Sequence, residues 1–391
     1  MTEIPFDLLG ISPGQWAVGT VFTYLPPSEE NRAFDIWAQA FSARGLDLGE
    51  RRAVPVDTSV LGRQARERMP RIHQVFVPRP RFCRTMASFE TLLYQAQQSA
   101  RTALRRGGLE NAIFVVSLSP KTIVYKALTR SQDLQGFFPD LSDPRFVTRF
   151  ALFHRRFSTN TRTSWDRVQP FRLVAHTGEI NTIAANRAWA FSREQALGIP
   201  SEELMTRIGI SDSGSLNEMA EALRYRSSIP YLSEILAIMV PPAAAQSNAF
   251  YKFWSRAVEP WDGPAFLAFS DGDVVGARLD RNGFRPGRWS RTRDRFFLAS
   301  EAGLFDVDPK DIEAKGALHG GSGVHVHLGR GEVHFSDPSD SKVNFNASFD
   351  ARLERLGRAD IRYDRDLLEN TNLFRLGKEE LNDVIVPMIL D

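Results

Sequence analysis

Residues 16–25 (WAVGTVFTYL) form an apolar, β-branched run between Pro13-Gly14 and Pro26-Pro27, which predicts a buried strand. Over 29–43 the apolar residues instead fall at Ala33, Phe34, Trp37, Ala40 and Phe41, the spacing of a helix. Runs at 71–77 and 112–117 predict two more strands with a helix over 88–104 between them, and 122–125 and 150–157 continue the strand-rich pattern. Helices are predicted over 181–193, near 216–224, at 232–239 and at 248–258. From Pro264 the period changes. Short runs at 265–270, 273–279, 287–290 and 295–300 are separated by Asp-Gly, Asn-Gly and Arg-Asp turn signals, an antiparallel meander. Gly320-Gly321 and Gly329–Gly331 punctuate two further strands. Beyond Ser336 the chain turns polar and mixed in charge, which predicts a linker with a short helix from Lys378. Strands with helices at both ends of the chain favour an α/β or α+β sandwich.

Composition narrows the function classes more than the fold. The 391 residues are 42% hydrophobic and 25% charged, and 49 Lys+Arg nearly balance 47 Asp+Glu. Whole-chain charge therefore gives no argument for nucleic acid or a membrane surface. The arginine-rich stretches 63–71 and 101–106 are interleaved with apolar residues and read as solvated helix faces. One cysteine, Cys83, excludes an intrachain disulfide and an iron–sulfur cluster held by this chain. No G-x-G-x-x-G follows a predicted strand. No apolar run reaches the ~18 residues of a membrane span, and nothing resembles a signal peptide, so a cytoplasmic location is expected.

Four segments could carry chemistry. His154–Thr161 (HRRFSTNT) sets arginines beside hydroxyl and amide side chains, either a carboxylate clamp or a turn. Ala175–Thr182 (AHTGEINT) places a glycine between a strand and a helix, either an exposed N–H for an oxyanion or a helix start capped by Asn181 or Thr182. Ser211–Ser215 (SDSGS) reads as an N-cap or as a polar pocket floor. Glu259–Ala265 (EPWDGPA) and Asp280–Pro286 (DRNGFRP) are dense in turn formers and need no catalytic explanation. His325 and His327 share a strand face near His319, but no carboxylate or cysteine partner stands out, so no metal is expected there.

In this order the segments RFSTNT, H-x-GEINT, SDS, EPWDGPA and DRNGxRP resemble the class II glutamine amidotransferase domain of glutamate synthases. PRIHQVFV (70–77), VSLSPKTIVYKAL (116–128), MVPPA (239–243) and SEAGLFD (300–306) agree. The resemblance implies an α+β fold, the four-layer αββα sandwich of N-terminal-nucleophile hydrolases. It implies release of ammonia from glutamine by an N-terminal cysteine whose own α-amine is the base. It also implies transfer of that ammonia to 2-oxoglutarate on separate synthase domains, where FMN and an iron–sulfur cluster are expected, with none in this chain. By motif, Arg156 would hold the glutamine α-carboxylate with Thr159 and Asn160 nearby. Gly178 would donate its N–H to the oxyanion, and Asp212 would bind the α-ammonium. Residues 1–335 would be the amidotransferase domain, and 336–391 a linker and the start of the next domain.

Two departures shape the expectations. The chain begins after the position of the family's cysteine, and mid-chain Cys83 has no free α-amine, so the sandwich is expected to be incomplete at its N-terminal side with sheet edges uncovered. Thr177 stands where the family has an oxyanion-hole asparagine. The alternative function is then an amidotransferase-like binding or regulatory module without the chemistry.

Overall fold

The computed structural model describes residues 1–156, 163–196, 205–207, 209–227, 229, 231–243 and 248–336, and Met1–Ser341 cluster as one compact unit. Its frame is two antiparallel sheets. The first has four strands, in the order Arg51–Ala53, Arg71–Pro78, Trp16–Thr23 and Ile113–Ser119. Trp16–Thr23 is central and seven of its eight residues are buried, which is why its sequence is continuous rather than alternating. Its side chains feed two cores. Ala17 and Val21 pack outward with Trp37 and Phe41 of the Pro27–Ser42 helix and Phe89 and Leu93 of the Met86–Arg106 helix. Val18 and Phe22 face inward, in a core shared with Ile123, Phe137, Trp165 and Ala175.

The longer helix starts where Thr85 accepts from Ser88 N and Ser88 reaches back to Thr85 N, a reciprocal cap. It buries Phe89, Leu93, Ala96, Ala100 and Leu104, a three-to-four spacing. Truncating one such leucine to alanine costs ~2–5 kcal/mol. Arg101, expected on a solvated face, instead reaches Glu218 across the interior.

The second sheet has five strands, in the order Glu332–Ser336, Gly323–His327, Val274–Leu279, Ala265–Ser270 and Val174–Gly178. The Asp212–Arg226 and Leu232–Met239 helices lie against it. Helices, sheet, sheet and helices make the four layers the motifs imply. A three-stranded sheet of Phe296–Ala299, Arg288–Arg291 and Ala314–Ala317 closes one end of the meander. No described helix is long and apolar enough to cross a membrane.

Of the predicted strand over 150–157, residues 150–156 form no strand. Among the described residues only Ala151 makes a β-bridge, to Thr2, beside a backbone pair in which Leu152 N donates to Met1 O at 2.8 Å and Met1 N donates to Leu152 O at 2.7 Å. Arg149 pairs with Glu3, and Thr148 Oγ1 donates to Phe150 O at 2.8 Å. Residues 157–162, which include Thr159 and Asn160, lie outside the described residues.

A candidate active site at an open strand edge

Val174–Gly178 is the edge strand of the five-stranded sheet among the described residues. In an antiparallel pair, alternate residues aim their N–H and C=O groups at the partner. Here Ser270 N donates to Leu173 O and Glu179 N donates to Pro264 O, so the odd-numbered residues face the neighbouring strand. His176 and Gly178 therefore face the open edge.

At His176 that edge is occupied by a side chain. Gln169 Nε2 donates to His176 O at 2.8 Å, and Gln169 Oε1 accepts from His176 N at 2.6 Å. The amide thus takes the place of one residue of a neighbouring strand. At Gly178 the N–H is left toward a cavity of about 1370 Å³, which Gly178, Thr177, Asp212, His154, Arg156 and Arg285 all line.

Gly178 has φ +142°, and a Cβ built there would lie 1.7 Å from Pro264 O. Gly263 opposite is equally constrained, with φ +150° and a built Cβ 2.0 Å from Glu179 O. Two backbones cross here at a distance no side chain permits. The EPWDGPA segment holds the crossing: Asn181 N donates to Asp262 O at 2.7 Å, and Asp262 N donates to Thr182 Oγ1 at 2.9 Å. Thr182 is thus turned to this loop and to Asn186 rather than capping the helix it precedes. Arg281 clamps the Asp262 carboxylate, and Asp280 accepts from Ala265 N, Asn282 N and Phe284 N. Both turn-rich segments, which sequence reasoning left without a role, brace the site.

Ser211 caps the Asp212–Arg226 helix by accepting from Gly214 N at 3.1 Å, as read from SDSGS. A carboxylate in the first turn suits the positive end of the helix. Asp212 Oδ1 accepts from Ser213 N at 2.7 Å, and Oδ2 accepts from Ile180 N at 3.0 Å, two residues past Gly178. The same acid therefore lines the cavity and fixes the exit of the glycine turn.

His176 is buried behind the strand, with Nδ1 2.8 Å from Ser213 Oγ and 4.0 Å from Asp212 Oδ2. Burial pulls its pKa down to about 4 against the attraction of Asp212, so the ring is neutral near pH 7. On the other face, Thr177 Oγ1 lies 3.2 Å from His154 Nε2. Burial likewise lowers the His154 pKa. Arg156 is exposed at the lip of the cavity. The structure thus brings Arg156, Thr177, Gly178 and Asp212 to one cavity. Gln169 had no local signal in the sequence, whereas Arg285 stands in the DRNGFRP segment, which was read only as a turn. Cys83 is buried in the outer core among the helices, away from the cavity lining.

The geometry defines a polar pocket beside a strand N–H that has no partner among the described residues, in an αββα sandwich, the fold of N-terminal-nucleophile hydrolases. The sequence profile of class-II glutamine amidotransferases matches residues 6–350, and the chain belongs to that family. It is 35% identical to a ferredoxin-dependent glutamate synthase of Spinacia oleracea, over 99% of this chain and 26% of that one. The rice enzyme of the same description is 37% identical over 85% of this chain and 22% of its own length. A Saccharomyces cerevisiae NADH glutamate synthase is 36% identical over 94% of this chain and 18% of its own length. The domain is homologous to the glutaminase part of these enzymes, as its ordered motifs led one to expect, and spans about a quarter of the length of the spinach relative. Among solved structures, a glutamine phosphoribosylpyrophosphate amidotransferase from B. subtilis covers 49% of this chain at 18% identity, with a TM-score of 0.31.

Proposed function

We propose that this domain binds glutamine in the cavity beside Gly178 and releases its amide nitrogen as ammonia for a glutamate synthase. The observation that carries the reading is strand parity: it leaves the Gly178 N–H at the open edge, on a cavity that also holds a carboxylate, Asp212, and a guanidinium, Arg156. An α-amino acid presents the complementary pair of charges. The cysteine's own α-amine takes the thiol proton, the thiolate attacks the amide carbon, the oxyanion is received by Gly178 N–H with the Thr177 hydroxyl beside it, and the α-ammonium returns the proton to the departing nitrogen, so that ammonia leaves and a thioester remains. Water then frees glutamate. Cys83 is buried elsewhere, and the resemblance implies an N-terminal cysteine as the thiol. FMN and the iron–sulfur cluster belong to synthase domains that receive the ammonia, with 336–391 as the linker and the start of the next domain, and the setting is cytoplasmic.

The test is calorimetric titration of the full chain with glutamine. Binding that weakens about tenfold or more in both Arg156→Ala and Asp212→Asn is expected, since each removes a charge-assisted hydrogen bond. Absence of glutamine binding at millimolar ligand, in a chain shown to be folded, would remove the proposal.

A further inference from the structure

Outside this site, the Gly323–His327 and Glu332–Ser336 strands carry a second cluster of chemically capable side chains. Residues two apart on a strand point to one face, and directly paired residues on neighbouring strands share it. His325 pairs with His334 and His327 pairs with Glu332, so four potential ligands form a two-by-two block on one face of the hairpin. The imidazole centroids are 5.2 Å apart for His325–His327, 5.3 Å for His325–His334 and 5.2 Å for His327–His334. A tetrahedral zinc ion with Zn–N bonds of ~2.1 Å holds imidazole centroids roughly 5 Å apart. The triangle therefore already has the size of a three-histidine site.

The next strand is cleared for it. Gly276 pairs with His325, and a Cβ there would meet the His325 Cβ at 2.8 Å. Glu332 Oε2 lies 3.5 Å from His334 Nε2, a carboxylate placed to serve as fourth ligand or as hydrogen-bond partner to a ligating ring.

We propose that His325, His327 and His334, with Glu332, form a binding site for a divalent transition-metal ion of zinc-like preference. In the present rotamers, no group of three His, Cys, Asp or Glu among the described residues is set to hold a metal ion, so the rings must turn. His325 and His334 lie stacked at 22°, and turning them about Cβ–Cγ, a broad torsion, requires no movement of the strands. The first two histidines were visible in the sequence. His334 and Glu332 became partners only through the register of the hairpin.

The test is titration of the full chain with Zn²⁺ against a chromophoric chelator, followed by substitution with Co²⁺. One equivalent of zinc bound with Kd below about 10 μM, and cobalt absorption of tetrahedral intensity, are expected. His334→Gln and His327→Gln should each weaken zinc binding at least tenfold, and Glu332→Gln by less. His334 is exposed on an edge strand, so its substitution leaves the fold intact if His325→Gln does not. Affinity weaker than about 10 μM, or a His327→Gln/His334→Gln chain that binds like the parent, would mean that the rings merely stack.

Discussion

At the scale of single residues, the site depends on positions where no substitution fits. Gly178→Ala would set a methyl carbon 1.7 Å from Pro264 O at a φ of +142°, so either the crossing backbones separate or the turn refolds. A loss of about 3 kcal/mol or more is expected, read as a fall in the urea midpoint. An unchanged midpoint would show that the crossing is soft. His176 gives a pH signature of known sign. Its folded pKa of about 4 lies below the ~6.5 of an unfolded chain, so between the two values the unfolded state alone takes the proton. Its contribution is complete above pH ~6.5 and is lost as pH falls toward 4, by roughly 3 kcal/mol in total. Urea midpoints at pH 7 and 4.5, compared between the parent and His176→Gln, isolate this residue from the other titrating groups. Equal falls in both chains would remove His176 as the cause. Gly178 and Asp212 were legible as residues because they stand in short motifs. Gln169 was not, because nothing periodic links it to His176, seven positions on, and its role exists only once a loop folds back along a strand edge.

At the scale of elements, periodicity carried most of the fold. The Leu232–Met239 helix was read to the residue, since a short apolar segment has one way to bury itself, and the Ala265–Ser270 strand likewise. The segment at 150–157 failed for a physical reason. Its apolar residues suit a strand, but over 150–156 the backbone pairs only at Ala151 and Leu152, with Thr2 and Met1, which is too short a ladder to make one. The expectation of a bare sheet edge is also modified, because Phe171 N donates to Val174 O and the Gln169 amide covers His176. Gln169→Ala would remove both bonds, leaving a strand N–H and C=O without their partner, at a cost of about 1–3 kcal/mol. The specific readout is hydrogen exchange. The His176 amide should lose protection in Gln169→Ala while amides of Trp16–Thr23, in the other sheet, keep theirs. Uniform loss across both sheets would mean that Gln169 supports the whole fold rather than this edge.

At the scale of the whole molecule, the site is assembled from segments far apart in the chain: the loop at 154–156, the strand and turn at 174–182, a helix start at 211–213 and two turns at 260–264 and 280–286. Local pattern could name these pieces, and the resemblance supplied their order, but the distances that make them one site come from pairing across the sheet. Thr177 is where the order and the distances pull apart. The motif implies a missing asparagine donor, whereas the structure shows a hydroxyl 3.2 Å from His154 Nε2, oriented by a neighbour the motif does not mention. Fusing the chain to a segment that begins with cysteine, and measuring ammonia release from glutamine, separates the two views. If the hydroxyl is too short to reach the oxyanion, Thr177→Asn should raise kcat by ~10²-fold, the usual effect of one such donor. If His154 holds the hydroxyl in place as a working donor, Thr177→Asn should gain little, and Thr177→Val, which keeps the branched shape and deletes the hydroxyl, should lose a comparable factor. A fusion indifferent to both substitutions would leave Gly178 N–H to carry the oxyanion without Thr177, and Gln169→Ala should then affect its rate more than either.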